Sequence, residues 1–379
     1  RSFHAGLRYL IIQIGSGVLL LAGIAMLAGE GGSSALVFDN LWDRFQGGTA
    51  GFCPVMLILV AFGIKAAFPL LHNWLQDAYP EATVTGTVWL SAFTTKLAIY
   101  ALARGFAGAD CLVWIGAAMT VFPIFFAVIE NDLRRVLAYS LNNQLGFMVV
   151  GIGIGTEMAL NGTAAHAFAH ILYKALLFMS IGAVLYRTGT AKASELGGLY
   201  KSMPWTCGFC IVGAASISAV PLFSGFVTKS LILEAAVDNH YSLIYLIMLF
   251  ASVGVLEHSG IKIPYFAFFG RDQGHRVSEA PRNMLIAMGI TAAMCIGIGI
   301  FPEPLYRLLP FETGIAPYET YRAGHLISQL QLLAFAALAF TVLIRTGIYP
   351  PELRALNLDT DWFYRKPLQA GIRACWRTL

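Results

Sequence analysis

Charged residues are scarce in this chain, and their scarcity excludes most soluble folds. Only 12% of the 379 residues are Asp, Glu, Lys or Arg, whereas about 25% is usual for a soluble domain. Hydrophobic residues make up 57% of the sequence, and the net charge of +4 is too small to indicate nucleic-acid binding. The composition therefore predicts an all-α polytopic membrane protein with no nucleic-acid partner.

Motifs for bound cofactors and metals are also missing. The six cysteines include a single CxxC pair, Cys207 and Cys210, whereas a metal site usually brings a second pair or nearby histidines. There is no Gly-rich nucleotide loop, no haem or iron–sulfur ligand spacing and no nucleophile arrangement. We therefore expect no cofactor and no metal, and an enzyme with its own catalytic centre is the weakest hypothesis.

The N-terminus has neither an initiator methionine nor a signal peptide, and almost no leader precedes the first apolar run. Such a start is expected of an interior piece of a longer polypeptide, or of a processed one.

Apolar runs long enough to cross a bilayer recur along the chain and predict about ten transmembrane helices. They lie near residues 7–28, 52–75, 83–106, 111–129, 134–156, 160–186, 205–237, 240–263, 283–302 and 325–347.

Lysine and arginine are distributed unequally between the two sides of the membrane. One side receives the C-terminal basic residues together with Arg1, Arg8, Arg134, Arg135, Arg187, Lys192, Lys201, Arg271, Arg276 and Arg282. The other side receives Arg44, Arg104, Arg307 and Arg322. The positive-inside rule places the first set, and hence both chain ends, in the cytoplasm. The tail from Pro350 mixes aromatic and basic residues, which suits an interfacial segment, a docking strap or a solvated tail.

Two of the predicted spans are interrupted. Lys65 precedes Pro69 in the second span, and Lys229 follows Pro221 and Gly225 in the seventh. Proline inside a helix frees carbonyl groups, and in a membrane these groups must face a polar interior rather than lipid. Transporters built from inverted repeats place their ion sites at such discontinuous helices. The two breaks, five spans apart and each with a lysine, therefore indicate two repeated halves.

Basic side chains recur at depth in otherwise apolar helices. In AAHAFAHILYKALLFMSI, residues 164–181, a lysine and two histidines follow at four-residue spacing and point to one side of a helix. Burial disfavours the charged form of lysine and histidine titrates near neutrality, so such a row can exchange protons. The alternative is a pair of packing histidines with a lysine that reaches the headgroups. The predicted relay is Lys65, Lys96, His166, His170, Lys174 and Lys229.

Acidic residues near these basic groups are few, and the sequence is compatible with two roles for each of them. Glu257 and His258, late in the eighth span, could gate an outlet, or Glu257 could pair with Lys262 near the interface. His72 and Asp77, at the cytoplasmic end of the second span, could form a proton entrance or part of a capped, solvated loop. A polar run at residues 139–144 is suited to ordering water or to a helix–helix contact.

Several of these runs together resemble a known family. GIKAAFPLLHNWLQDAYPEA, TTKLAIYALAR, NDLRRVLAYSLNNQLGFM, AHAFAHILYKALLFMSIGAVLYR and SGFVTKSLIL are similar to the antiporter-like membrane subunits of respiratory complex I (NADH:quinone oxidoreductase). They are equally similar to the large subunits of Mrp-type cation/proton antiporters. IPYFAFFGRD and LDTDWFYRKP lean towards the D-type subunit of the Mrp antiporters. The resemblance runs from Leu7 to about Pro302 and implies two inverted five-helix repeats, with titratable residues between two half-channels.

The resemblance also implies a role for each relay residue. Lys65 corresponds to the broken-helix lysine of the first half-channel and Lys96 to the lysine that passes protons towards the centre. The stripe of two histidines and a lysine at residues 166–174 corresponds to the central relay, and Lys229 to the terminal lysine of the second half-channel. The family's first-half glutamate and the first helices of the first repeat have no counterpart in this sequence. We expect them to precede residue 1 or to come from another polypeptide.

The sequence thus predicts a proton-translocating subunit of a multi-subunit complex in a bacterial cytoplasmic (inner) membrane. Residues 1–106 would be the remainder of the first repeat, 107–270 the second repeat, and 271–379 the C-terminal helices and a basic tail. Expected partners are other integral membrane subunits, lipid, and protons alone or protons exchanged for Na⁺ or another cation. The alternative is a non-conducting structural subunit of the same kind of complex.

Overall fold

The computed structural model describes residues 2–31, 37–311, 319–349, 352, 357–360, 362 and 366–378. Arg1, Pro350 and part of the LDTDWFYRKP run lie outside the described residues. Within the described ranges the chain is almost entirely helical, and the only extended pairing is an isolated bridge between Asp132 and Lys192. The predicted all-α fold is confirmed.

The helices, numbered in chain order, are α1 (Ser2–Gly31), α2 (Leu41–Gln46), α3 (Phe52–Lys65), α4 (Asn73–Glu81), α5 (Val84–Trp89), α6 (Thr95–Gly105), α7 (Asp110–Ile129), α8 (Leu133–Ile154), α9 (Glu157–Thr188), α10 (Pro204–Ile217), α11 (Ser224–Asp238), α12 (Ser242–Val255), α13 (Lys262–Pro264), α14 (Arg282–Ile300), α15 (Glu303–Tyr306), α16 (Ala323–Thr346) and α17 (Pro367–Thr378). Wider π-helical turns, Leu90–Thr94, Leu256–Ile261 and Tyr265–Phe269, lie between α5 and α6 and on either side of α13.

Six helical segments in the described ranges are long and apolar enough to cross a membrane: α1, α7, α9, the run Ser242–Phe269, α14 and α16. The other four predicted spans fall on α8 and on the interrupted segments α3–α4, α5–α6 and α10–α11. A multi-pass membrane protein is therefore established, while the total of ten spans stays a prediction. Large apolar side chains point outward from α1, α14 and α16, which suits helices that face lipid.

The centre of the bundle is formed by α8 and α9. Nearly every residue of α8 is buried, and α9 packs against α5, α8, α10, α11 and α14. Glycines allow α7 and α8 to cross closely: a Cβ on Gly116 would lie 2.5 Å from the Val150 nitrogen, and one on Gly146 would lie 2.6 Å from the Thr120 nitrogen. Small residues commonly permit such backbone approach in membranes. Across this crossing Asn143 of α8 donates to the Thr120 carbonyl of α7.

The two interrupted spans share one geometry. After α3 ends at Lys65, Ala67 and Leu70 adopt left-handed backbone angles, φ +61° and +71°. After α10 ends at Ile217, the residues at the same two offsets, 219 and 222, adopt φ +55° and +72°. Pro69 and Pro221 occupy the same position within each connection. Because non-glycine residues seldom adopt these angles, the repeated pattern supports two related halves.

Candidate functional site

The stripe on α9 is sheltered from lipid. His166, His170 and Lys174 each have 0% of their surface exposed. The lysine of the predicted alternative would need an exposed amine to reach the headgroups, so that part of the alternative is wrong. The four-residue spacing places these groups on one side of α9, where His166 contacts Thr228 of α11.

His166 lies at the centre of a hydrogen-bonded chain that joins three helices. Its Nδ1 is 3.1 Å from the Thr228 hydroxyl of α11, and its Nε2 is 3.4 Å from the Tyr173 hydroxyl. Tyr173 donates to the Gln144 side-chain oxygen of α8 at 3.1 Å, and Gln144 donates to Asn143 at 2.6 Å. The residue that follows Thr228 is Lys229, so the chain runs from the second broken span into the polar run of α8.

The hydroxyl groups around His166 leave lone pairs towards both ring nitrogens. Thr228 already donates its proton to the Ser224 carbonyl at 3.0 Å, and Tyr173 donates its own to Gln144. Each imidazole nitrogen therefore faces a hydroxyl oxygen, and which nitrogen carries a proton depends on the tautomer. A neutral ring has one nitrogen that accepts, so the hydroxyl facing that nitrogen must turn to donate to it.

The other two members of the stripe differ from His166 in their hydrogen bonding. Neither ring nitrogen of His170 nor the Lys174 ammonium has a hydrogen-bond partner among the described residues. The His170 ring lies 6.2 Å from that of His166 and 5.3 Å from that of Tyr173, measured between ring centroids. Buried polar groups in native proteins are nearly always hydrogen-bonded to protein or to internal water. The structure therefore brings these groups together without bonding them to one another.

Lys229 and Lys96 each bind a carbonyl that an irregular helix frees. The Lys229 ammonium donates to the Ile217 carbonyl, at the end of α10, at 2.9 Å, and it lies 5.0 Å from the centre of the Phe147 ring. The Lys96 ammonium donates to the Ser91 carbonyl, in the π-helical turn before α6, at 2.6 Å. Both side chains are buried. Each lysine thus sits where a helix break supplies an acceptor.

The first broken span is organised differently. Lys65 is the last residue of α3 and is half-buried, and the structure does not join it to the His166 chain. His72 is buried, and its Nε2 lies 3.2 Å from the Asp359 carboxylate. Asp77 instead accepts a hydrogen bond from Arg8 at 2.7 Å at the partly exposed end of the bundle. The two predicted entrance residues therefore have separate partners.

Glu257 and His258 lie in the π-helical turn before α13. Glu257 is half-buried, whereas His258 is buried and its Nδ1 lies 2.8 Å from the Ser259 hydroxyl. Ser259 donates to Ser140 at 2.7 Å, which links this turn to α8. The proposed partner of Glu257, Lys262, forms its ion pair with Glu352 at 2.8 Å instead. Lys262 also donates to the carbonyls that end α7.

Sequence reasoning missed Thr228, Tyr173 and the carboxylates of the tail. Tyr173 has a signal that could have found it, because it follows His166 by seven residues and His170 by three, on the same side of α9. Thr228 is adjacent to Lys229 but carries no periodic signal of its own. Glu352 and Asp359 lie in a tail with no helical pattern, and only the folded chain shows their partners.

Solved structures share this architecture. A chain of the Mrp complex from Dietzia sp. DQ12-45-1b aligns with a TM-score of 0.73 at 24% identity, over 87% of this chain and 70% of that chain. A chain of the membrane-bound sulfane sulfur reductase, an archaeal respiratory membrane complex, aligns with a TM-score of 0.74 at 24% identity, over 100% of this chain and 69% of that one. At these identities the likeness establishes the fold.

Sequence relatives agree with the structural neighbours. The D-type subunit of an Na(+)/H(+) antiporter from Alkalihalophilus pseudofirmus is 30% identical over 318 residues, 79% of this chain and 63% of the relative. Hydrogenase-4 component B of Escherichia coli is 28% identical over 337 residues, 79% of this chain and 49% of the relative. The chain thus spans about half to two thirds of the length of these relatives. Residues 1–254 match the family described as NADH:quinone oxidoreductase/Mrp antiporter, TM. The chain is a multi-pass membrane protein that belongs to the NADH:quinone oxidoreductase/Mrp antiporter family.

Proposed function

We propose that this chain is a proton-translocating subunit of a multi-subunit membrane complex. The observation that carries the proposal is the buried chain Thr228–His166–Tyr173–Gln144, which places a titratable ring between the second broken span and the centre of the bundle. A ring that can bind a proton on either nitrogen and pass it to a hydroxyl on either side is a proton carrier. Always-charged arginines could not serve in this way.

Repulsion between neighbouring basic groups couples their protonation along the row. A proton on one buried cation disfavours protonation of the next, because like charges repel strongly where water is scarce. Protonation at one end of the row therefore releases a proton further along. The unpartnered nitrogens of His170 and Lys174 would be bridged by internal water, which completes the path between Lys96 and His166.

The relatives suggest the setting but leave the exchanged ion open. We place the chain in a bacterial cytoplasmic membrane beside other integral membrane subunits, with the basic loops and the C-terminal tail in the cytoplasm. Residues 1–106 and 107–270 would supply the two half-channels, and residues 271–379 the peripheral helices and tail. Transport of H⁺ alone and exchange of H⁺ for Na⁺ or another cation are both compatible with this geometry.

A non-conducting scaffold is the second candidate, and one observation favours it. Lys96 binds a carbonyl of a π-helical turn and Lys229 the last carbonyl of α10. These contacts would stabilise the two irregular helices even if no proton ever moved. The two functions predict different transport rates once the central titratable group is removed.

The decisive experiment is His166→Gln, which keeps hydrogen-bonding groups but cannot titrate. Proton movement is followed with a pH-sensitive dye in inverted membrane vesicles that contain the assembled complex. We expect a loss on the order of 100-fold, the scale of a positioned proton-transfer group. The matched control is Ser180→Ala on the same helix. The buried Ser180 hydroxyl donates to the Leu176 carbonyl of α9. Wild-type transport by His166→Gln in a fully assembled complex would support the scaffold.

Removal of a single hydroxyl from the chain should have a smaller effect. Tyr173→Phe retains the buried ring but disconnects His166 from Gln144. We expect transport to fall by about tenfold, because one hydrogen bond of about 1 kcal/mol is lost and a water must replace the hydroxyl. Initial rates in the same vesicles measure this change. An unchanged rate would show that protons leave His166 by another route.

A further inference from the structure

The tail after α16 is docked onto the bundle. We call residues 352 and 357–360 the C-terminal strap. Glu352 pairs with the fully buried Lys262, and Asn357 donates to the Glu130 carboxylate at 3.2 Å. Thr360 donates to Asn73, the first residue of α4. The strap therefore connects the loop after α7 and the α13 region with the first broken span.

Asp359 is the strap residue that reaches furthest into the protein. Its carboxylate oxygen lies 3.2 Å from His72 Nε2 and accepts a hydrogen bond from the Tyr139 hydroxyl at 2.8 Å. The side chains of Asp359 and His72 are only 5% and 1% exposed. An aspartate is seldom buried to this extent without a charged partner, and the imidazole is the titratable group that the geometry offers it.

The charge state of Asp359 suits a fixed counter-ion. Burial alone would raise the pKa of Asp359, but the hydrogen bond and electrostatic attraction from His72 outweigh it. With further hydrogen bonds from the Thr360 amide and the Tyr139 hydroxyl, they bring the pKa of Asp359 to about 2. The carboxylate therefore stays ionised at every physiological pH. It does not carry the proton itself, and it places a negative charge 3.2 Å from the His72 ring nitrogen.

His72 occupies the position where such control would matter. It lies immediately before α4, three residues after Pro69, at the end of the first broken span that faces the basic loops. A cavity of about 570 Å³ borders His72, Asp359 and the Phe122 ring.

Two acidic groups near this end of the bundle are paired with arginines, whereas Arg134 donates to the Pro80 and Ala82 carbonyls. Asp77 of α4 binds Arg8 of α1, and Glu130 in the loop after α7 lies 3.8 Å from Arg135 of α8. Tyr139 faces Asp359.

We infer that Asp359 is a positioning residue for proton uptake at His72, with the C-terminal strap supplying the counter-charge of the first half-channel. This inference rests on the proposed proton-translocating function. The strap thereby joins the entrance of one half to the Lys262 region of the other, so that its docking sets the pH range in which the entrance binds a proton.

The test is the pH profile of proton transport by the assembled complex in vesicles. Asp359→Asn keeps an acceptor for Tyr139 but removes the charge, so protonation of His72 requires more acidic solution. In a plot of transport rate against pH, the alkaline limb is the part where the rate falls as pH rises. This limb should move to lower pH by about one unit or more, the usual effect of one close opposite charge. Asp359→Glu should return the limb towards its wild-type position, which a purely structural role would not require.

Two further variants separate charge from docking. Thr360→Val weakens an anchor of the same strap without touching the carboxylate, and we expect its pH profile to match the wild type. His72→Gln should make the pH profile insensitive to the charge at position 359, so that adding Asp359→Asn to it causes no further shift of the profile. Equal shifts in Asp359→Asn and Thr360→Val, or no shift in Asp359→Asn, would overturn the inference.

The outcome also distinguishes this inference from the proposed function. Loss of transport in His166→Gln together with an unmoved profile in Asp359→Asn refutes the strap and retains the transporter. Unchanged transport in His166→Gln refutes both. Size-exclusion profiles and thermal melts of each purified complex show whether a variant assembles. If Asp359→Asn does not assemble, Asp359→Glu and His72→Gln still test the inference. It requires Asp359→Glu to keep the alkaline limb of the pH profile and His72→Gln to lose that limb.

Discussion

Lys174→Met should abolish proton transport and leave the assembled complex at least as stable as the wild type. The Lys174 ammonium is fully buried and has no hydrogen-bond partner among the described residues. Methionine fills nearly the same volume but cannot carry a proton. We expect transport to fall on the order of 100-fold or more, since a positioned proton-transfer group is lost from the centre of the row.

Lys174→Met separates a loss of transport from a loss of stability better than substitution of the other buried lysines does. Removal of Lys229 or Lys96 strands a buried carbonyl at a cost of about 1–3 kcal/mol, so a loss of transport could reflect misfolding. Removal of Lys174 breaks no direct hydrogen bond between described residues, and a buried unpaired charge is itself destabilising. The melting temperature of the purified complex should therefore stay constant or rise.

A surface lysine provides the control for the loss of charge. Lys201, in the loop before α10, is exposed, and its ammonium lies 5.6 Å from the centre of the Tyr200 ring. Lys201→Met should transport protons at the wild-type rate. Wild-type transport by Lys174→Met would instead show that the central stripe is inert and that the chain acts as a scaffold.

The sequence predicted the parts of this site that depend on local periodicity. Four-residue spacing places His166, His170 and Lys174 on one side of a helix regardless of what that side contacts. A proline in an apolar run interrupts a helix because it removes a donor and clashes with the preceding turn. Both effects operate within a few residues, so the stripe and the two interrupted spans could be predicted from sequence alone.

Contacts between distant segments could not be predicted in this way. Asp359 meets His72 across 287 residues of sequence, and Lys262 takes Glu352 of the tail as its ion partner in place of Glu257 five residues away. The choice depends on which carboxylate the fold brings within reach after α16 and the strap have docked. Thr228 likewise contacts His166 only because α11 packs against α9.

The role of Gly225 was predicted only in part. As a proposed helix break it would lie within the interruption, yet it is the second residue of α11, and the connection itself comprises residues 218–223. Its small size is needed for a different reason. A Cβ at Gly225 would overlap the carbonyl oxygen of Ser216, near the end of α10. The glycine thus lets the two half-helices approach closely enough for Lys229 to reach Ile217.

Gly225→Ala should therefore prevent correct folding of the second broken span. The added methyl group meets backbone, which cannot rotate away as a side chain would, so α10 and α11 must separate. We expect a cost on the order of 3 kcal/mol or more, at the upper end of overpacking effects. Displacement of α11 would also pull Lys229 from the Ile217 carbonyl and Thr228 from His166. The yield of monodisperse protein after detergent extraction, and its melting temperature, measure the change.

Gly208→Ala is the matched control because Gly208 lies on α10 itself and a Cβ there meets nothing within 4 Å. The same substitution should be tolerated at that position, with a change of no more than about 1 kcal/mol and in the stabilising direction expected of alanine in a helix. If both variants fold equally well, α10 and α11 have room to move apart, and the two half-helices then form a hinge rather than a fixed junction.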